Sequence, residues 1–244
     1  MGTQIKTVVC FIILIVTMLL VTPFGIIGVL LSLVGLGKVM SVLMHYIAVG
    51  WGRFMLAVVG CKVTVLGREN IPRKGGVCFV SNHSGIVDIL LLLGYSGRRF
   101  GFVAKQELRF MPILNMWISI LGGLYIDRKN LRKALKTINT GVARIKAGAA
   151  MLIFPEGHRS RGQGLLPFHP GSLKLATQSR AIIVPVAITG SYDVFEKDYR
   201  VHACPLQITF CKPINTAELS ATDRKLALSD QIFTVIQAAL EEHR

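Results

Sequence analysis

Acidic residues are scarce in this chain. There are 13 against 28 lysines and arginines in 244 residues, for a net charge of +15 and an isoelectric point near 10.0. Residues 1–60 contain no acid at all. This balance points to polyanionic partners: nucleic acid, an anionic lipid surface or phosphorylated small molecules. Charge of either sign is also sparse, at 17% against 52% apolar residues, with a mean hydropathy of +0.54. A nucleic-acid binder normally wears its charge on a more polar surface, so no nucleic acid is expected. A membrane-surface protein combines greasiness with basicity naturally, because anionic headgroups attract each Lys or Arg by roughly 1 kcal/mol.

Cysteine is limited to Cys10, Cys61, Cys78, Cys204 and Cys211. The number is odd, no CxxC pair occurs, and no histidine stands at ligand spacing. A disulfide framework and a zinc site are therefore not expected, and free thiols in a reducing compartment are. No metal or other cofactor is called for. The chain also lacks a G-x-S-x-G nucleophile elbow, an internal repeat and a low-complexity linker.

What is present begins with 31 uncharged residues between Lys6 and Lys38. Roughly 20 apolar residues suffice to cross a bilayer, and the run is too long, with no small-x-small site after it, for a cleavable signal peptide. Pro23 interrupts it, and a residue before proline is pushed out of the α region. Two shapes are compatible: one kinked spanning helix, or a helical pair over about 8–22 and 26–59 that dips into one leaflet. The apolar character of the second run past Lys38 favours the pair. Residues 1–60 are thus expected to anchor the protein, and 61–244 to form one domain.

From Cys61 the rhythm changes to short β-rich runs: CKVTVLG, GVCFVSN, FGFVAK, GGLYIDR, AAMLIFPEG, AIIVPVAITG and LQITF. Helix-compatible stretches lie between several of them, notably 131–147, and 223–243 closes the chain. Alternation of this kind predicts an α/β fold with a central, mostly buried β-sheet flanked by helices, preceded by the apolar helical pair. Sites in such folds form where strands end.

Three of these strand ends carry chemistry. The first is NHSGIVDIL (82–90), the chain's one His-x-x-x-x-Asp. On a regular helix His83 and Asp88 would point about 140° apart. They meet only if His83 lies in the turn and Asp88 in the first turn of the following helix, a fold-back that Gly85 eases. The carboxylate would then fix the imidazole tautomer and leave the other nitrogen to accept a proton. The plainer alternative is a helix-capping Asp88 beside a solvated His83. Ser84 adjoins the histidine without an elbow around it, so the simplest target for such a base is a hydroxyl brought by a substrate.

The second, FPEGHRSRGQG (154–164), places Glu156, Gly157, His158, Arg159 and Arg161 at one strand exit. Arginine offers a planar fork suited to phosphate, and Gly157 permits close backbone approach to a ligand. The third, GGLYIDR (122–128), ends in Asp127 and Arg128, which alone would read as a local ion pair. Between Arg98 and Arg180 fifteen basic residues face three acids, so the positive field surrounds these loops.

In this order the stretches resemble the glycerolipid acyltransferase family, specifically its lysophosphatidic acid acyltransferases. Asn82, His83 and Asp88 match its first block. Lys105, Pro112, Gly122, Asp127 and Arg128 resemble the second. Phe154, Pro155, Glu156, Gly157, Arg159 and Ser160 match the third, with His158 where the family usually has Thr. Val184, Pro185, Val186 and Ala187 resemble the fourth. The resemblance spans about residues 75–190.

It implies transfer of a fatty acyl chain from acyl-CoA or an acyl carrier protein thioester to the 2-hydroxyl of lysophosphatidic acid. The product would be phosphatidic acid, made in phospholipid biosynthesis at the cytoplasmic face of the cell membrane among membrane phospholipids. His83, oriented by Asp88, would act as general base. Arg128 and Arg159 would hold the acceptor phosphate, Lys105 would join the cationic wall, and Glu156 would orient Arg159, bond the acceptor or, equally, shape the loop through an ion pair. The alternatives are a related enzyme acting on glycerol 3-phosphate or another lysophospholipid, and a non-catalytic basic protein docked on membranes.

Overall fold

A computed structural model describes residues 2–169, 171–219, 222 and 227–242. All seven expected strand runs form strands: β1 (Lys62–Leu66), β2 (Val77–Ser81), β3 (Phe100–Lys105), β4 (Leu124–Ile126), β5 (Ala150–Ile153), β6 (Ile182–Thr189) and β7 (Pro205–Phe210). They join one sheet in the order β1-β7-β6-β2-β5-β3-β4, with a short β8 (Ile214–Asn215) paired to β6. The run β6-β2-β5-β3-β4 is parallel throughout, while β6 is antiparallel to β7 and β8.

β2 sits at the centre and is buried along its whole length. Its residues alternate between the two faces of the sheet. Val77 and Phe79 face one core with Leu56 of α2 (Gly37–Val59) and Leu91 and Leu92 of α3 (Asp88–Tyr95). Cys78 and Val80 face the other, with Ile138 and Ile145 of α5 (Leu131–Lys146), Leu175 of α6 (Lys174–Ser179), and Ile232 and Ile236 of α7 (Leu228–Glu241). Both faces being covered explains why β2, β5 and β6 read as near-continuous apolar runs rather than alternating ones. The expected terminal helix is seen as α7; positions 223–226 and 243 of that expectation lie outside the described residues.

The apolar start is a helical pair, but its break is not at Pro23. Helix α1 (Gly2–Leu31) runs through that proline, and the turn falls at Ser32–Leu36, where Gly35 adopts φ 87°. A proline withholds one amide, a local loss that a long apolar helix tolerates. Reversing the chain needs a left-handed residue, which glycine adopts without a Cβ clash.

Both helices are long and apolar enough to cross a bilayer by length and composition. Each is also fastened to the domain. Arg53 Nε of α2 donates to Gly94 O at 2.7 Å, and Gly52 faces the Leu90 backbone. At the start of α1 the Thr7 hydroxyl accepts from Val201 N at 2.8 Å, and the Phe11 and Phe195 rings meet at 5.5 Å. Further along, Gly25 packs on Met116 of α4 (Pro112–Ile120). One side of α1 stays open: Ile5, Val8, Ile12, Ile15 and Leu19 are exposed at helical spacing.

Candidate active site

β2 and β5 are parallel neighbours, so the residues that follow them leave the sheet side by side. Asn82 ends the β2 side of this edge by imitating a strand residue. Its Nδ2 donates to Ile188 O at 2.9 Å and its Oδ1 accepts from Ile188 N at 2.8 Å, which locks the turn to β6. His83 follows. Phe154, just beyond β5, stacks on its ring at 4.0 Å, and Ser160 N donates to His83 O at 2.7 Å.

The fold-back between His83 and Asp88 is present. Asp88 opens α3 and is fully buried, and its Oδ2 lies 2.7 Å from His83 Nδ1. The same oxygen accepts from Ser84 N at 2.8 Å and Gly85 N at 3.0 Å. An oxygen already receiving two N–H groups leaves Nδ1 to be the donor, so Nε2 carries the free lone pair. The alternative of a helix-capping aspartate with an unconnected histidine is thereby excluded. Gly85 is needed for contact: a Cβ there would stand 2.6 Å from Ser191 O and 2.9 Å from Glu196 Oε2.

Glu156 does not pair with Arg159, which bonds Glu196 instead. It is buried, and its oxygens accept from two backbone amides, Oε1 from His83 N at 2.6 Å and Oε2 from Leu166 N at 3.0 Å. It ties the 154–166 loop to the histidine turn. Burial pushes its carboxyl up to about 7, against the pull of those two amides. The driving cause is desolvation of the charged form.

Arg159 pairs with a residue that no motif indicated. Its Nη1 lies 2.7 Å from Oε1 of Glu196, a side chain only 3% exposed, and that oxygen also accepts from Ile86 N at 2.6 Å. Glu196 thus couples the arginine to the loop between His83 and Asp88. It went unseen because YDVFEKDYR reads as an ordinary charged surface loop. Phe154 and Asn82 stood inside recognised blocks, but only the packing gives them roles.

Arg128 reaches from the end of β4 to donate to Gly157 O. It does not pair with Asp127, whose Oδ1 instead accepts from Lys129 N at 3.1 Å and Asn130 N at 3.2 Å. Gly157 adopts φ 77°, and a Cβ there would lie 2.5 Å from His169 Cδ2 and 2.9 Å from Arg128 Nη1. The close approach at this glycine is therefore made by protein side chains. Lys105 ends β3, between β5 and β4, exposed and 3.3 Å from Glu107. His158 is exposed, with its ring 6.1 Å from that of His169.

A buried carboxylate on one imidazole nitrogen, with guanidinium groups on the adjoining loops, is an arrangement able to move a proton beside an anion. The chain belongs to the acyltransferase family: the family model described as Acyltransferase matches residues 62–189. It is 32% identical over 168 residues to a 1-acyl-sn-glycerol-3-phosphate acyltransferase of Cocos nucifera, covering 68% of this chain and 54% of that one. It is 30% identical over 197 residues to a probable 1-acyl-sn-glycerol-3-phosphate acyltransferase of Mycoplasma genitalium, covering 75% of this chain and 72% of that one. Against several such relatives the chain spans a little over half of their length, as with the 54% for C. nucifera. The fold is that of the 1-acyl-sn-glycerophosphate acyltransferase from Thermotoga maritima, with a TM-score of 0.84 at 23% identity, covering 99% of this chain and 95% of that one.

Proposed function

We propose that this protein transfers a fatty acyl group from a thioester to the 2-hydroxyl of lysophosphatidic acid, forming phosphatidic acid at a membrane surface. The observation that carries this reading is His83 Nδ1 at 2.7 Å from a fully buried Asp88 in a chain of this family. Nε2 takes the proton of the acceptor hydroxyl as its oxygen attacks the thioester carbonyl. The bond to sulfur then breaks, and the thiolate leaves readily because its conjugate thiol has a pKa of about 8.5. The stacked Phe154 and the Ser160 amide hold the ring and the backbone of His83, so Nε2 waits in a fixed direction.

Arg159 and Arg128, on loops either side of Gly157, hold the phosphate and thereby position the hydroxyl. Glu196 aims Arg159 and leaves the rest of its fork for the ligand. Lys105 extends the cationic wall at the end of β3.

Residues 1–60 act as the membrane anchor, entering one leaflet rather than crossing. Past its packing on α4 at Gly25, helix α1 runs six residues further to Leu31, about 9 Å at 1.5 Å per residue. That is well short of the roughly 30 Å of a hydrocarbon core. Leu33 and Val34 at the tip are 78% and 71% exposed, which fits insertion of the turn into lipid. The domain then faces the cytoplasm, where thioester donors are made.

The direct test offers purified protein a mixture of acyl thioesters and phosphate-bearing acceptors and identifies products by mass spectrometry. Phosphatidic acid is expected. A product acylated only on glycerol 3-phosphate or on a phosphodiester lysolipid would assign a different acceptor. Absence of any acylated product would leave a non-catalytic membrane-docking protein.

A further inference from the structure

Building on the acyl-transfer reading, we propose that a second cationic pocket binds the phosphate groups of the acyl donor's carrier, with the diphosphate and nucleotide part of coenzyme A as the ligand chemistry. The pocket, of about 520 Å3, runs along β4, the outermost strand, between the turn at Gln106–Phe110 and α5. Arg109, Lys133, Lys136 and Arg144 line it, and among the described lining residues Asp127 is the one carboxylate. That carboxylate offsets only part of the charge: Oδ1 serves the turn amides of Lys129 and Asn130, and Oδ2 lies 3.8 Å from Lys133 Nζ, one of the four. Four cations around one acid in a concave site repel one another, and an anionic ligand relieves that repulsion.

The two arginines are already fixed. Arg144 Nη1 donates to Gly122 O at 2.6 Å, and Arg109 lies over the Tyr125 ring at 5.1 Å. Each is held by part of its guanidinium, so little freedom is lost when the remaining N–H groups meet a phosphate. Lys133 and Lys136 are exposed on the first turns of α5 and supply point charges at the rim.

The position suits a donor. Strands β2, β5, β3 and β4 are parallel, so their ends share one edge of the sheet. Three strand spacings separate the strand that leads to His83 from β4, about 14 Å in all. A pantetheine arm, comparable to about four residues of extended chain, reaches about 14 Å from its phosphate to its sulfur. A carrier whose phosphates sit in the pocket therefore lays its thioester along the ends of β3 and β5 towards His83. Arg128, turned to Gly157, does not line the pocket, so the two phosphate sites are separate.

The test uses the full-length protein with a K133A/K136A double substitution and, separately, Lys136→Glu. Both side chains are exposed, so folding is not at stake. Two measurements are made: KM for an acyl-CoA and for lysophosphatidic acid, and equilibrium binding of adenosine 3′,5′-bisphosphate. The donor KM should rise about tenfold or more, as expected for losing charge-assisted contacts, with kcat and the acceptor KM unchanged. The bisphosphate should compete with the donor and bind the double variant about tenfold more weakly. An unchanged donor KM, or no bisphosphate binding to the wild type, overturns the proposal. So does an effect that follows the anionic lipid content of vesicles, which would make this a headgroup site. Binding is read without turnover, so a wild type that transfers no acyl group defeats the proposed reaction while the pocket is still judged by the nucleotide.

Discussion

Asp88→Asn tests the site most sharply, because the structure dictates which way the amide would turn. Asp88 Oδ2 receives three N–H groups, from His83 Nδ1, Ser84 N and Gly85 N, at 2.7, 2.8 and 3.0 Å. An asparagine NH2 in that position would face all three donors. The amide oxygen therefore takes the Oδ2 place, and the NH2 goes to the Oδ1 place, which has no hydrogen-bond partner among the described residues. The tautomer of His83 is kept and the negative charge is lost. A hydrogen bond to a charged group contributes about 1.5–3 kcal/mol against about 0.5–1.5 for a neutral one. The imidazolium formed on proton transfer thus loses about 1–2 kcal/mol of stabilisation, a fall of about 5- to 30-fold in kcat. A buried, unsatisfied NH2 should separately lower stability by about 1–3 kcal/mol. His83→Ala, which removes the proposed base, should cost about 10² to 10⁴. Steady-state kinetics and denaturant unfolding on the three proteins decide it. If folded Asp88→Asn is as inactive as His83→Ala, the amide has flipped and the argument from three donors is wrong. Wild-type-like turnover by His83→Ala would refute the mechanism itself.

Other outcomes follow from the same geometry. Arg159→Ala should raise the KM for lysophosphatidic acid and leave that of the thioester nearly unchanged, and Arg159→Lys should fall between, since it keeps the charge but loses the fork; an effect confined to the donor would reverse the substrate assignment. Glu196→Gln should raise the acceptor KM by several-fold with little change in kcat, because Arg159 loses its aim while His83 keeps Asp88; a collapse of kcat alone would place Glu196 in the proton path instead. Glu156 makes stability depend on pH: with its folded value near 7 and an unfolded value near 4.5, the protonated form is favoured by folding, so its contribution is fully present below about 4.5 and lost as pH rises through about 7. Unfolding midpoints of wild type should fall relative to Glu156→Gln over that window by the equivalent of about 3 kcal/mol, and parallel curves would show that the buried carboxyl does not titrate there. A cysteine placed at position 2 should resist labelling from outside intact cells, whereas strong labelling would mean a true span.

Much of this was written locally. The strands of the sheet were legible because short apolar β-branched runs bounded by glycine have few other conformations open to them. His83 and Asp88 were legible as a pair because their spacing, with Gly85 between, permits one turn in which they meet. The helical pair was legible from hydropathy, but its turn was misplaced at Pro23. A proline's cost is local and is offset by neighbours, whereas reversal of the chain required the left-handed residue Gly35.

The partners of the charged loops were not legible. Glu156 and Arg159 are three residues apart, yet one binds the histidine turn and the other binds Glu196, 37 residues further on. Arg128 and Asp127 are adjacent and turn apart. Sequence proximity does not choose among charges, because in a dense basic region every carboxylate has several candidate cations. Burial decides, since a desolvated carboxylate must be satisfied by whatever donors the fold brings to it. Local sequence was enough for the strands of the sheet, the apolar pair, the family and the closeness of His83 to Asp88, because each rests on composition or on short-range spacing. It took the folded chain to show that Glu156 braces the histidine turn, that Glu196 holds Arg159, and that four cations from two separated segments meet beside β4.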